Sequence, residues 1–138
     1  MKITFKEVIN QIMATDGIRA TLSSRDPRRL RVINHDLTDA IKEMIPQSVE
    51  WITYACPCIA KEAMDDESVT LSFANALLET RNRMVTAFIA WHTMHLITVQ
   101  IEPQTSKYCE EVAENYAMAL NRIGTPGHKI PPRIPFWY

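Results

Sequence analysis

Residues 84–101 of this 138-residue chain have the sequence MVTAFIAWHTMHLITVQI, and this stretch decides which fold the sequence predicts. It holds no acidic or basic side chain apart from two histidines, and large apolar residues fall on every face of a helical projection. A helix that is apolar all round must be covered by other elements on all sides. We therefore predict a long central helix over about residues 69–101, surrounded by the rest of the chain.

The apolar run approaches the roughly 20 residues that cross a bilayer as a helix. Its threonines, histidines and glutamine, and the polar turn at 79–83 just before it, favour a buried helix over a membrane span. The N-terminus mixes charged with apolar residues and lacks the continuous apolar segment of a secretory signal. Three cysteines, with Cys56 and Cys58 too close to pair without strain, are typical of reduced thiols. We expect a cytoplasmic protein with no membrane segment.

Boundary residues predict the first two helices of the chain. Thr4 and Glu7 have the spacing of a capping box and precede an amphipathic segment. Asp26 followed by Pro27 is a typical helix start, because aspartate caps free N–H groups and proline loses nothing at the first helical position. We expect this second helix to end at Pro46, since proline clashes with the preceding turn of a helix.

Three further features complete the predicted bundle. A third helix would begin at about residue 48, break or kink near Cys56, and continue over 61–64. The acidic turn at 65–68 would cap the central helix, because negative charge suits the positive end of the helix dipole. A fifth helix would run from about residue 105 to Gly124, a residue type that often ends helices.

The C-terminal segment 125–138, TPGHKIPPRIPFWY, holds four of the eight prolines and predicts an extended tail. No strand alternation longer than a few residues, no hairpin dipeptide and no internal repeat is present. The sequence therefore predicts an all-α fold, a four- or five-helix bundle around the central helix. We assign residues 1–124 to the helical domain and 125–138 to a proline-rich aromatic tail.

Charge identifies one candidate binding surface. The net charge of -1 and the 22% of charged residues are ordinary for a globular protein and favour no class of partner. Basic residues nevertheless gather at the start of the second predicted helix, where they oppose the helix dipole and could bind a phosphate or carboxylate. This arginine cluster consists of Arg25, Arg28, Arg29, Arg31 and His35. The alternatives are a solvated face or ion pairs with nearby acidic residues.

The tail is the second candidate surface. Lys129 precedes a P-x-x-P pattern that contains Arg133, and Phe136, Trp137 and Tyr138 end the chain as three consecutive aromatic residues. Aromatic side chains dominate the hot spots of protein interfaces. The tail could instead fold back over its own bundle, bind a second copy of the chain, or remain disordered.

Several side chains of types that bind metals were considered as candidate ligands. They are the histidine pair His92 and His95, the thiols Cys56 and Cys58, and the carboxylate pairs Glu62 with Asp65 and Glu111 with Glu114. Histidines of a buried helix are more often hydrogen-bonded core residues, and zinc-binding cysteines usually have longer spacing. No Ser/His/Asp constellation, nucleophile elbow or glycine-rich phosphate loop is present. We therefore assign no metal, cofactor or catalytic residue.

These patterns favour a non-enzymatic helical protein that regulates or inhibits a protein partner by direct contact and that forms a homodimer. The predicted contact residues are Arg25, Arg28, Arg29, Arg31, His35, Arg133, Phe136, Trp137 and Tyr138. One alternative is a nucleic-acid-associated regulator in which the four arginines of the cluster bind phosphates. A further alternative is a metal-dependent enzyme that uses the histidine pair or the carboxylate pairs.

Overall fold

The computed structural model describes residues 1–15, 29–99 and 102–124, without the side chains of residues 29–38 and 40. In chain order the described elements are β1 (Lys2–Thr4), α1 (Phe5–Met13), α2 (Arg29–Ala55), β2 (Ile59–Met64), β3 (Ser68–Phe73), α3 (Ala76–Glu79), α4 (Asn82–Thr98) and α5 (Pro103–Gly124). Five helices and a three-stranded antiparallel sheet make this a mixed fold. The prediction of an all-α bundle is therefore wrong.

The three-stranded sheet is the part of the fold that the all-α prediction did not include. Its strand order is β1-β3-β2, so β3 pairs with a strand from the start of the chain and with the strand that precedes it. The turn between β2 and β3 is closed by Asp65, whose Oδ1 accepts hydrogen bonds from the backbone N–H groups of Glu67 (2.7 Å) and Ser68 (2.8 Å). Aspartate closes turns in this way. The acidic turn at 65–68 therefore ends a hairpin and does not cap the central helix.

The central helix is much shorter than predicted. Val69 and Leu71 alternate with less buried neighbours, and this pattern places one face of β3 in the core. Asn75 then caps the short helix α3, since its Oδ1 accepts the N–H of Leu78 at 3.1 Å. Only Asn82–Thr98 remains as α4. That helix is buried on most of its faces and packs against α1, α2 and α5.

Helix α2 continues through the position where we expected it to end. Pro46 lies inside Arg29–Ala55, although a proline in a helix interior costs about 3 kcal/mol. Ile45, Val49 and Ile52, which surround it in the sequence, are fully buried, and burying side chains of this size contributes roughly 1.5–3 kcal/mol each. Packing therefore outweighs the cost of the proline. The predicted break near Cys56 is confirmed, but residues 61–64 form part of β2 and not a helix.

The predictions for the first and last helices, α1 and α5, agree best with the structure. The capping box of α1 is confirmed: Thr4 Oγ1 accepts the N–H of Glu7 at 3.2 Å, and the carboxylate of Glu7 accepts the N–H of Thr4 at 3.3 Å. Helix α5 begins at Pro103, slightly earlier than predicted, and ends at Gly124 as predicted. None of the described helices is long and apolar enough to cross a membrane.

Candidate functional site

Two histidines of α4 lie where α2 and α5 pack on that helix, and each makes hydrogen bonds to one of them. Both helices pack on α4 and are joined at one end by a hydrogen bond of 3.0 Å from Asn121 Nδ2 to the carbonyl of Ala55. His92 of α4 contacts α2, His95 of α4 contacts α5, and the two imidazole centroids are 5.6 Å apart. We define the α2–α5 groove by Trp51 and Tyr54 of α2, His92 and His95 of α4, and Glu110 and Glu114 of α5.

His92 is the buried part of the groove, with 6% of its surface exposed. Its Nδ1 lies 3.1 Å from the hydroxyl oxygen of Ser48, and that oxygen is 2.9 Å from the hydroxyl of Thr93. The indole of Trp51 stacks on the imidazole, with centroids 4.1 Å apart. Burial, helped by the neighbouring His95, lowers the pKa of His92 to about 4. The ring is therefore neutral near neutral pH, held by hydrogen bonding and stacking.

His95 is tied to α5 through both of its ring nitrogens. Its Nδ1 lies 2.8 Å from Ser106 Oγ and 3.1 Å from the Ser106 carbonyl oxygen, and its Nε2 lies 3.2 Å from a carboxylate oxygen of Glu110. The Ser106 hydroxyl in turn donates to the carbonyl of His95 at 3.1 Å. Both nitrogens of His95 thus contact oxygen atoms of α5, so the ring joins α4 to that helix.

Serine, histidine and glutamate in contact could suggest a hydrolytic triad. The accessibility of the serine argues against that role, because Ser106 is only 3% exposed and its hydroxyl proton is directed at a backbone carbonyl. A nucleophile must reach its substrate and transfer its proton to a base. The Ser106–His95–Glu110 contact therefore joins α4 to α5 and does not present a reactive oxygen to solvent.

The rim of the groove carries aromatic and acidic side chains. Tyr54, one turn beyond the half-buried Trp51, is 84% exposed. On α5, partial burial and repulsion from Glu110 and Glu111 raise the pKa of Glu114 above its ordinary range, although His95 acts in the other direction. Glu110, Glu111 and Glu114 thus form a group of carboxylates close enough to repel one another. Aromatic faces beside such carboxylates suit a cationic group.

The predicted contact residues are not brought together within the described part of the chain. Arg29, Arg31 and His35 belong to the first turns of α2, but their side chains lie outside the described residues. Both other arginines of the cluster, Arg25 and Arg28, also lie outside them, as do the tail residues Arg133, Phe136, Trp137 and Tyr138. Their role in binding stays a prediction.

The histidine pair and the cysteine pair, which the sequence offers as candidate metal ligands, lie in two separate places. His92 and His95 form the floor of the groove, whereas Cys56 and Cys58 are buried against the C-terminal half of α5. Cys56 Sγ lies 3.5 Å from the carbonyl oxygen of Ala117, and burial raises the pKa of both thiols. Across the described ranges, no group of three or more His, Cys, Asp or Glu side chains could hold a metal ion.

Sequence reasoning found the two histidines but missed their partners. The sequence alone does not identify Ser48, Trp51, Ser106 and Glu110 as these partners. The existence of such partners can be inferred from the sequence, since polar rings in an apolar helix need hydrogen-bonding partners on neighbouring helices. Spacing along the chain does not show which residues those are.

A scan against protein-family models found no match, and no curated protein or solved structure is detectably similar to this chain.

Proposed function

We propose that this protein is a non-enzymatic regulator that binds a partner protein by direct contact, and that the α2–α5 groove is part of the contact surface. The observation that carries this proposal is the 84% exposure of Tyr54, one helical turn beyond the half-buried Trp51. Tryptophan, tyrosine and arginine are the residues that most often dominate binding energy at protein interfaces. A tyrosine this exposed has most of its ring available to a partner.

The aromatic and acidic side chains of the groove favour a basic segment of the partner. An arginine or lysine side chain can lie over the ring of Trp51 or Tyr54, where the interaction contributes about 0.5–1 kcal/mol at exposed sites. The neighbouring carboxylates of Glu110 and Glu114 on α5 can pair with a further cation of the same segment. A bound cation would also relieve the repulsion that raises the pKa of Glu114.

The arginine cluster and the aromatic tail remain part of this proposal as further contact surfaces. They carry the opposite charge to the groove, with Arg25, Arg28, Arg29 and Arg31 in one segment and Arg133 in the other. Acidic groups of the same partner, or of a second copy of this chain, are their natural complement. The groove and these segments can therefore be tested separately.

Copurification from a nuclease-treated lysate of the native host tests the groove. The full chain is compared with Glu110→Lys/Glu114→Lys and with Glu62→Lys/Glu79→Lys, which changes the charge equally at exposed positions outside the groove. We expect the first variant to retain a captured protein at least about tenfold less well, because reversed charges repel a basic segment. We expect the second variant to retain it normally. Equal capture by both variants would exclude the groove as the contact surface.

A chain truncated after Gly124 tests the tail in the same experiment. Loss of the captured protein on truncation would support the aromatic tail as a contact surface. If no protein is captured by the full chain, and nucleic acid coelutes once nuclease is omitted, binding through the arginines replaces the present proposal.

A further inference from the structure

A concave surface lies where β1 and α1 meet the first turns of α4. This cleft has a volume of about 750 Å³, and none of the residues that line it belongs to the α2–α5 groove. Ile3 and Ala87 are buried and form its apolar part, which the half-buried side chains of Met84 and Tyr116 extend. Clefts of this size take ligands of small-molecule dimensions.

Uncommitted amides line the rest of the cleft. Asn10 and Gln11 project from α1, and Asn82 lies at the start of α4. The side chains of these three residues are exposed, and none makes a hydrogen bond within the described part of the chain. Each can both donate and accept hydrogen bonds. The polar side of the cleft is thus available to a ligand.

Positive charge exceeds negative charge in the described lining. Lys2 and Arg83 are the cationic side chains, and Arg83 makes no ion pair with any carboxylate within the described ranges. Lys2 is close enough to Asp65 to help lower the pKa of that carboxyl, so Arg83 is the more available of the two. The acidic lining residue, Glu7, has a carboxylate oxygen that accepts the N–H of Thr4 at 3.3 Å in the cap of α1. The planar guanidinium of arginine matches the oxygens of a phosphate or carboxylate. The charge in the cleft therefore favours an anion.

We infer that this cleft binds a small organic anion, which carries a phosphate or carboxylate group on a flat apolar body. The charged group pairs with Arg83 and Lys2, and the amides of Asn10 and Asn82 complete its hydrogen bonds. The apolar body packs on Tyr116 and Ala87. This inference is independent of the proposed partner contact, because it uses a different surface and the opposite charge.

Phenyl phosphate is a suitable probe, since it has both features of the inferred ligand. The full-length protein labelled with ¹⁵N is titrated with it and followed by NMR, alongside inorganic phosphate, which lacks the ring, and benzyl alcohol, which lacks the charge. We expect saturable shifts of the backbone amides of residues 83–87, with phenyl phosphate binding on the order of tenfold more tightly than either fragment. Absence of saturable shifts at about 10 mM phenyl phosphate would overturn the inference.

Two variants with the same change in charge distinguish binding in the cleft from general electrostatic attraction to the protein surface. Arg83→Glu removes the inferred contact, and Arg122→Glu changes an equally exposed arginine of α5 outside the cleft. We expect Arg83→Glu to weaken phenyl phosphate binding at least about tenfold and Arg122→Glu to change it less than about twofold. An equal loss in both variants would overturn the inference. Arg83→Gln, a milder change, should weaken binding in the same direction.

Discussion

The indole of Trp51 lies flat on the imidazole of His92, with ring centroids 4.1 Å apart and planes 9° apart. The same indole meets Phe88 edge-on at 5.7 Å, so one residue of α2 contacts both the polar and the apolar surface of α4. The other neighbours of the His92 ring are the hydroxyl of Ser48 and the ring of His95. A neutral imidazole fits these buried surroundings, whereas an imidazolium would lose its hydration beside a second histidine.

Acid should therefore destabilise the fold through His92. Its pKa is about 4 in the folded protein and 6.5 in the unfolded chain, so the unfolded chain takes up the proton first as the pH falls. The free energy of unfolding should decline between these two values by up to about 3 kcal/mol. In urea denaturation near pH 7 and near pH 4.5, we expect His92→Phe to show a decline about 2 kcal/mol smaller than that of the natural protein. An equal decline in both proteins would show that His92 is not responsible.

A single amide connects the ends of two helices. Asn75 Oδ1 accepts the N–H of Leu78 at the start of α3, while its Nδ2 donates to the carbonyl oxygens of Ile123 and Gly124 at the end of α5. We expect Asn75→Ala to lower the free energy of unfolding by about 2–3 kcal/mol, because a helix cap and two further hydrogen bonds are lost. Denaturant titration measures this loss.

Asn75→Asp is the informative comparison for that prediction. Aspartate keeps the acceptor for Leu78 but replaces the donor with a carboxylate that faces two carbonyl oxygens. We expect it to destabilise the protein although it is a good capping residue. If Asn75→Asp is as stable as the natural protein, the bonds to α5 contribute nothing measurable.

The sequence predicts those parts of the fold that are determined by neighbouring residues. Thr4 and Glu7 are three positions apart, and both hydrogen bonds of their capping box form within that short segment. Strand β3 differs because it depends on a partner far along the chain: Thr70 pairs with Lys2. With no strand alternation longer than a few residues, the sequence predicts residues 69–73 as the start of the central helix. Pairing between distant segments cannot be predicted from local spacing, so β1 could not be predicted. The β2–β3 hairpin is local, but its acidic turn has the composition of a helix cap and was interpreted as one.

The candidate groove was predictable only in part, for the same physical reason. The spacing of His92 and His95 places both rings on one face of a helix. Their partners Ser48 and Ser106 are 44 and 11 positions away, on two other helices. Neither the packing of α2 on α4 nor the exposure of Tyr54 follows from the periodicity of those segments.

Gly124 is required by a close approach between elements. A Cβ atom at this position would lie 2.8 Å from Cβ of Cys58 and 3.1 Å from Cδ1 of Leu78. An exposed helical glycine gains up to about 1 kcal/mol when replaced by alanine, but overpacking costs about 1–3 kcal/mol. We expect Gly124→Ala to be destabilised, as measured by thermal or denaturant unfolding. Cys58→Ala in the same chain should recover part of the loss, and an unchanged or raised stability of Gly124→Ala would contradict the predicted collision.

The two partners of His95 should contribute unequally to stability. Ser106 is buried and its hydroxyl contacts both the ring and the carbonyl of His95, whereas the side chain of Glu110 is 46% exposed. Removing the buried Ser106 hydroxyl leaves polar atoms with neither a protein partner nor water to hydrogen-bond, which costs about 1–3 kcal/mol. An exposed ion pair contributes about 1 kcal/mol or less. We therefore expect Ser106→Ala to lower the free energy of unfolding more than Glu110→Gln does, in denaturant titrations near neutral pH. The reverse order of the two losses would mean that the ion pair, and not the buried hydroxyl, holds α4 to α5 at this point.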